Sequence, residues 1–354
     1  MNRINVVGLG PGDKDQMPIK IEKKIKEAKV VYLRTEDHPA VTELKAEGVV
    51  FKAFDYLYEE MGKDFEKVYA AIVDELISLA EEQEILYAVP GHPMVAEKTV
   101  KDLLDKYPEV NIVGGKSFID DLFQSVQVDP VEGFQLLDSF DLNQDTLHTG
   151  QHVIVMQVFN ALMAGDVKLT LMEKYPDDHS VAVIDAAGSS QENISWMPLY
   201  EIDRFEGVYN LRSLYIPPLE LDEQVTSLST LQYYIDRVTD DEQGDVWINE
   251  QSAQSLIKYL KEETQELVEA IEKGDSENWM EELGDVLVQL LYQSSIAEKE
   301  GQFTFEDVLE TVNRKIRRRH PHVFDGVEAA TAEEVDALWQ KIKAEEKRKN
   351  DETR

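Results

Sequence analysis

Two short acidic motifs in the last third of this sequence have the residue types and spacing to hold a hard metal ion. The first is Glu262-Glu263-Thr-Gln-Glu266. Residues three and four apart share a helical face, so Glu263 and Glu266, and likewise Glu262 and Glu266, line up on a helix. The second, Glu282-Leu-Gly-Asp285, repeats the spacing of three. Between them Lys273-Gly274-Asp275-Ser276 reads as a turn, so an antiparallel helical hairpin is expected, on which four carboxylates converge. Crowded carboxylates repel one another unless a cation compensates. Oxygen ligands without histidine or thiolate suit Mg2+ or Mn2+ rather than zinc. Such an ion usually keeps several waters and binds phosphate oxygens, while one carboxylate of the set can polarise an attacking water. The plainer alternative is a solvated helical face, since Glu-Glu-x-x-Glu arises easily in an acidic chain. Against it, Leu283, Val286, Leu287, Leu290 and Leu291 make the second helix strongly apolar. Glu282 and Asp285 are therefore expected at the edge of a core, where an unpartnered carboxylate is costly.

An anion for this site has to be attracted locally. Asp plus Glu number 71 against 36 Lys plus Arg, a formal net charge of -35. Such a surface repels phosphate backbones, so nucleic acid is not an expected partner. Yet Arg314-Lys315-Ile-Arg317-Arg318-Arg319-His320-Pro-His322 gathers five cations at one helix end. Attraction to that helix terminus is one explanation, and a triphosphate to bind is the other. Trp339, on the helix after it, is either a packing residue or a platform for a base. With no cysteine, disulfides, thiolate metal sites and a cysteine nucleophile are excluded. No apolar run approaches the ~20 residues of a membrane span. The expectation is a cytoplasmic enzyme without a membrane partner.

The elements that position these residues fall into two regimes, and 354 residues suffice for two or three domains. Over the first ~215 residues, short β-branched runs alternate with amphipathic segments. Ile4–Val7, Val30–Tyr32, Ile85–Val89, Val110–Val113, His152–Val158, Val181–Asp185 and Leu214–Ile216 read as strands. Lys20–Ala28, Phe65–Ala80 and a segment near Asp166–Lys174 read as helices. This is α/β architecture in two lobes joined near residues 114–117. Pro217-Pro218 marks the break. Beyond it the pattern is all-α, with helices over Thr230–Val238, Glu250–Lys273, Glu277–Gly301, Thr304–Arg319 and Thr331–Lys349. The expected division is residues 1–218, a linker at 219–229, a helical domain at 230–348 and a charged tail at 349–354.

In the α/β part, Val6-Val-Gly8-Leu-Gly10-Pro11-Gly12-Asp13 follows the first strand, with a glycine spacing unlike the dinucleotide fingerprint. Tyr87-Ala-Val-Pro90-Gly91-His92-Pro93 leaves a later strand at its C-terminal end, where open α/β sheets place ligands. Each loop is either a ligand contact or a plain turn.

The helical motifs together, with Lys315-x-x-Arg318-Arg319-His320-Pro-His322-Val-Phe324 and Trp339-x-x-Ile-Lys343, resemble a MazG-type nucleoside triphosphate pyrophosphohydrolase over roughly residues 228–348. The resemblance implies an α-helical bundle that dimerises through its helices. It implies Mg2+ held by Glu263, Glu266, Glu282 and Asp285 with Glu262 adjacent, and nucleotide contacts at Lys315, Arg318, Arg319 and Trp339. Water would attack the α-phosphorus of a nucleoside triphosphate and release pyrophosphate. One departure stands out: the family's Cys-Pro-Trp-Asp-x-x-Gln-Thr-His is here Asp245-Val-Trp247-Ile-Asn-Glu-Gln251-Ser-Ala253, which leaves the metal ligands intact but puts substrate choice and rate in question.

The glycine loops, with Ser117, Phe118, Val128-Asp-Pro130 and Gln157, resemble a tetrapyrrole methylase domain over roughly residues 1–218. That resemblance implies S-adenosylmethionine between two α/β lobes, near Gly10, Pro11, Pro90, Gly91, His92, Pro93, Ser117, Phe118 and Gln157, with an unknown methyl acceptor. His92 replaces the acid common in that family's second loop. The order of the two domains is similar to a bacterial fusion family, whose second, C-terminal MazG unit is not expected here. Two other readings stay open: a methyltransferase with a regulatory helical domain, and a non-catalytic sensor of nucleotide and S-adenosylmethionine.

Overall fold

The computed structural model describes residues 2–352 apart from 63, 206, 208 and 210. The chain divides into two compact units, Met1–Gln224 and Val225–Arg354.

The first unit holds two sheets. The first is all parallel, in the order β3-β2-β4-β1-β5, from β1 (Ile4–Gly8), β2 (Val31–Leu33), β3 (Phe51–Ala53), β4 (Ile85–Val89) and β5 (Val110–Gly114). Every residue of β1 and β4 is buried, because helices cover both faces, and the strands accordingly read as unbroken apolar runs. On one face α3 (Asp55–Met61), α4 (Phe65–Glu82) and α5 (Lys98–Lys106) pack Leu57, Ile72, Leu76 and Leu103 against Ile4, Val6 and Tyr87. On the other, α1 (Ile19–Glu27) and α2 (Pro39–Ala46) pack Ile21, Ile25, Val41 and Leu44 against Val7, Leu33 and Ala88.

The second sheet has the order β6-β7-β10-β8-β9. Its strands are β6 (Phe134–Asp138), β7 (His152–Met156), β8 (Ser180–Asp185), β9 (Asn193–Pro198) and β10 (Arg212–Ile216); β6 and β7 are parallel and the other pairs antiparallel. Helix α6 (Phe118–Val126) covers one face through Leu122 and Phe123, and α7 (Ala161–Met172) the other through Ala164, Val167 and Leu171. The α/β class is the one expected. The strand expected over His152–Val158 ends at Met156 because Gln157 turns into the left-handed region at φ 63. Strands β3, β6 and β9 carry no strand signal in the sequence, since all are edge strands whose partly exposed residues give no buried run.

The second unit is helical, as expected: α8 (Leu228–Val238), α9 (Val246–Asn249), α10 (Ile257–Lys273), α11 (Ser276–Lys299), α12 (Phe305–Arg319), α13 (Pro321–Phe324) and α14 (Ala332–Glu352). Local chemistry sets the ends. Gly274 closes α10 in the left-handed conformation, the Asp275 side chain caps α11 by accepting from Asn278, and Thr304 and Asp307 form a capping box on α12. Ile248, Leu256 and Ile296 form a small core. Two expectations need correction. The helix read over Glu250–Lys273 is broken, since Ser252 and Ser255 hydrogen-bond each other's backbone in a turn that drops Leu256 into the core. Leu283 and Leu290 are not core residues; they are 50% and 49% exposed. Among the described residues no helix is long and apolar enough to cross a membrane.

Candidate functional site

The tight turn between α10 and α11 sets the two helices side by side, and their facing sides carry the acidic motifs. Glu263 and Glu266 on α10 and Glu282 on α11 each offer a carboxylate oxygen, all within 4.8 Å of one another. Glu282 is only 8% exposed, and its Oε2 has no hydrogen-bond partner among the described residues. Burial, then the charges of Glu266, Asp285 and Glu281, push its carboxyl above the ordinary value. Glu263 is raised likewise, by burial first and then by Asp285, Glu266, Glu282 and Glu262. Asp285 lies outside the group of three and is exposed, yet its charge is felt by both buried-side partners. Glu262 is exposed, and its charge adds to those acting on Glu263. A buried carboxylate oxygen without a donor, facing two more carboxylates, is a donor set that a hard divalent cation completes.

The basic end of α12 is more thoroughly paired than its sequence suggests. Arg314 pairs with Glu310, and Arg317 reaches Asp325 through both terminal nitrogens at 2.5 and 2.7 Å. Arg318 and Arg319 both meet Glu346 on α14. Lys315 is the one cation of the five with no ion pair among the described residues. A cavity of about 580 Å3 is lined by Lys315, Ile316, Arg319, His320, Asp336 and Trp339. Arg319 stands over the Trp339 ring at 5.2 Å and Lys343 at 5.4 Å. Lys315, Arg319 and Trp339 thus share one cavity, while Arg318 is turned to Glu346 beside it. Glu346, on a separate helix 27 residues beyond Arg319, carries no motif and is invisible to sequence spacing.

In the first unit, three loops meet where β1, β4 and β5 end. A Cβ on Gly8 would stand 2.1 Å from the Gly91 carbonyl oxygen, and one on Gly115 would stand 2.8 Å from the Gly8 Cα. Gly10 and Gly91 exchange backbone hydrogen bonds at 3.2 and 2.8 Å. Positive φ at Gly91 and Gly114, with nothing within 4 Å of where a Cβ would be, leaves the other side of the loops open. Pro11, Pro90 and His92 are half-buried and Pro93 is buried in these loops. Ser117 caps α6 by accepting from Ile119, with half-buried Phe118 next to it packing on the second sheet. Gln157 follows β7, its carbonyl accepting from the Ser139 hydroxyl. The lobes are tied where Gln16 donates to Asp121 at 3.0 Å and Ser190 donates to Asp13. Replacing Gly8 by alanine should force these loops apart, at a cost of about 1–3 kcal/mol for an overpacked position. A melting temperature and ligand affinity equal to the unaltered chain's would contradict that.

No sequence motif marks His38, yet it holds the first of these loops. Its Nε2–H donates to the Gly10 carbonyl at 2.9 Å, and its Nδ1 accepts from Ala40 N–H at the start of α2. The bond accepted at Nδ1 needs the neutral ring, whereas the one donated from Nε2 survives protonation. Burial holds its pKa below the ordinary value, with Arg34 adding to the drop and Gly10 and Asp37 opposing it. A depressed folded-state pKa means that the contribution is present above the unfolded value of about 6.5 and is lost as pH falls through the folded one. Thermal stability should therefore drop more steeply below pH 6 in the unaltered chain than in His38→Gln; parallel profiles would remove the role assigned to the ring.

Comparison with known proteins divides the chain in the same order. The MazG nucleotide pyrophosphohydrolase domain model matches residues 251–324, and the tetrapyrrole (corrin/porphyrin) methylase model matches residues 3–203. The uncharacterized protein YabN of Bacillus subtilis is 44% identical over 350 residues, covering 98% of this chain and 71% of that one. The nucleoside triphosphate pyrophosphohydrolase of Escherichia coli K12 is 38% identical over 124 residues, 35% of this chain and 46% of that protein. The nucleoside triphosphate pyrophosphohydrolase/pyrophosphatase MazG of Thermotoga maritima is 43% identical over 112 residues, 32% of this chain and 42% of that protein. This chain spans less than half the length of either pyrophosphohydrolase.

Proposed function

This chain belongs to the tetrapyrrole methylase family, in the YabN-like group that joins such a domain to a MazG nucleotide pyrophosphohydrolase domain, and from that premise we propose that its helical part hydrolyses nucleoside triphosphates to monophosphate and pyrophosphate. The observation that carries the reading is the buried Glu282 oxygen, without a hydrogen-bond partner among the described residues, facing Glu263 and Glu266. These three residues, with Asp285 and Glu262 at the rim, hold Mg2+ (or Mn2+). The ion, when bound, neutralises phosphate charge and lowers the barrier to attack. The chain's own groups do the rest. Lys315 and Arg319 bind phosphate oxygens, Arg318 reinforces them, and Trp339 stacks on the base. A carboxylate of the cluster takes a proton from the attacking water as it approaches the α-phosphorus. The two domains of this division are residues 1–218 and 230–348.

The first unit is read as a binding domain for S-adenosylmethionine, at the meeting of the Gly10, Pro90–Pro93 and Ser117–Phe118 loops, with Gln157 opposite. The packed glycines and the open side of Gly91 support a ligand lying against backbone. Methyl transfer to a small acceptor is the second reading. Exposed Leu283 and Leu290 beside the acidic cluster support a homodimer formed through the helical unit. Nucleoside triphosphates and S-adenosylmethionine as ligands support a cytoplasmic location. Pyrophosphate release from a panel of triphosphates with Mg2+ tests the main reading. Monophosphate and pyrophosphate in equal amounts are expected; diphosphate and orthophosphate, or no turnover, would refute it.

A further inference from the structure

The donors on which a phosphate would settle are already occupied by an anion. Arg319 donates from Nη2 to Glu346 Oε2 at 2.6 Å and from Nε to Oε1 at 3.2 Å, the two-pronged geometry with which an arginine also grips phosphate. Arg318 adds a bond from Nε to Oε1 at 2.7 Å. The Arg319 and Glu346 side chains are each only 16% exposed. These contacts hold the Glu346 carboxyl down at about 2, with the Arg319 hydrogen bond the largest cause, so it is ionised at any physiological pH. Glu346 comes from the same helix as Trp339, which lines the cavity, and Lys343, at spacings of seven and three, and so lies on their side of that helix. All three lie beyond residues 251–324, where the pyrophosphohydrolase domain model matches.

We propose that Glu346 is a specificity-determining residue, a built-in anion that occupies the arginine donors until a polyphosphate displaces it. The inference rests on the reading of Lys315, Arg319 and Trp339 as the nucleotide site. A carboxylate tethered on a neighbouring helix competes at a high effective concentration, so a weak anion with a single phosphate fails to displace it. A polyphosphate has further oxygens for Lys315, which has no ion pair among the described residues, and this extra attraction drives the exchange. The site therefore selects for phosphate-chain length, and the monophosphate product is released as the carboxylate returns.

The test is calorimetric titration of the full chain with inorganic tripolyphosphate and, separately, orthophosphate, for the unaltered protein, Glu346→Gln and Arg319→Gln. Removing the competing charge should tighten tripolyphosphate binding by roughly three- to tenfold and bring in orthophosphate binding. Arg319→Gln should lose binding. Unchanged or weaker tripolyphosphate binding in Glu346→Gln overturns the proposal while leaving the nucleotide site standing. No tripolyphosphate binding by the unaltered chain overturns the site reading, and the proposal with it. Should Glu346→Gln not fold, hydrogen exchange on the unaltered protein decides: amides of residues 344–352 should lose protection as tripolyphosphate is added, and constant or increased protection refutes displacement.

Discussion

Glu282→Gln is expected to lower triphosphate hydrolysis roughly a thousandfold, about 4 kcal/mol of barrier at 1.36 kcal/mol per decade. The substitution keeps the shape of the side chain and removes one oxygen charge from the three-residue group whose ligand atoms lie within 4.8 Å. Stability should move in the opposite direction. The folded-state pKa of Glu282 is raised, so its contribution to stability is full below the unfolded value and is lost as pH rises through the folded one. Once ionised, this carboxylate, whose Oε2 has no hydrogen-bond partner among the described residues, costs the metal-free fold, and glutamine removes that cost. Without metal, the variant should melt higher than the unaltered chain. Mg2+ should raise the melting temperature of the unaltered chain and leave the variant's where it was. A variant as active as the unaltered chain, or equally stabilised by Mg2+, would remove the carboxylates from the chemistry.

Lys315→Ala is expected to lower kcat/KM about 10- to 150-fold, the loss of one charge-assisted phosphate contact of about 1.5–3 kcal/mol, with the effect appearing mainly in KM. Of the basic cluster it is the cleanest probe, because no carboxylate among the described residues pairs with it. Its removal should leave the melting temperature and Mg2+ affinity unchanged. Arg319→Ala should also weaken triphosphate binding and spare metal binding, but it breaks the Glu346 pair and the Trp339 contact as well. An unchanged KM in Lys315→Ala together with a lower melting temperature would make the basic end of α12 structural.

What the sequence makes legible here is what depends on spacing. The paired carboxylates follow from two intervals of three on helices separated by a Lys-Gly-Asp-Ser turn, and Gly274 adopts the left-handed conformation that such a turn needs. The buried parallel strands β1 and β4 show as unbroken apolar runs, whereas β6 and β9, at the edges of their sheet, show nothing comparable. Apolar spacing misleads on α11: Leu283 and Leu290 have the right period for a core, but about half of each side chain stays exposed among the described residues. His38 and Glu346 lie beyond sequence reasoning for a different reason. Each acts through a partner brought near only by the fold, Gly10 at 28 residues' distance for one and Arg319 at 27 for the other. The paired state of the arginines is likewise tertiary, so a local count of charges overstates how much of the cluster is free.

If carboxylates from α10 and α11 close on one divalent cation, crystals grown with Mn2+ will show it. The anomalous difference map should show a peak about 2.1–2.2 Å from oxygens of Glu263, Glu266 and Glu282. A map with no peak between those three side chains, at Mn2+ concentrations that support turnover, would contradict it.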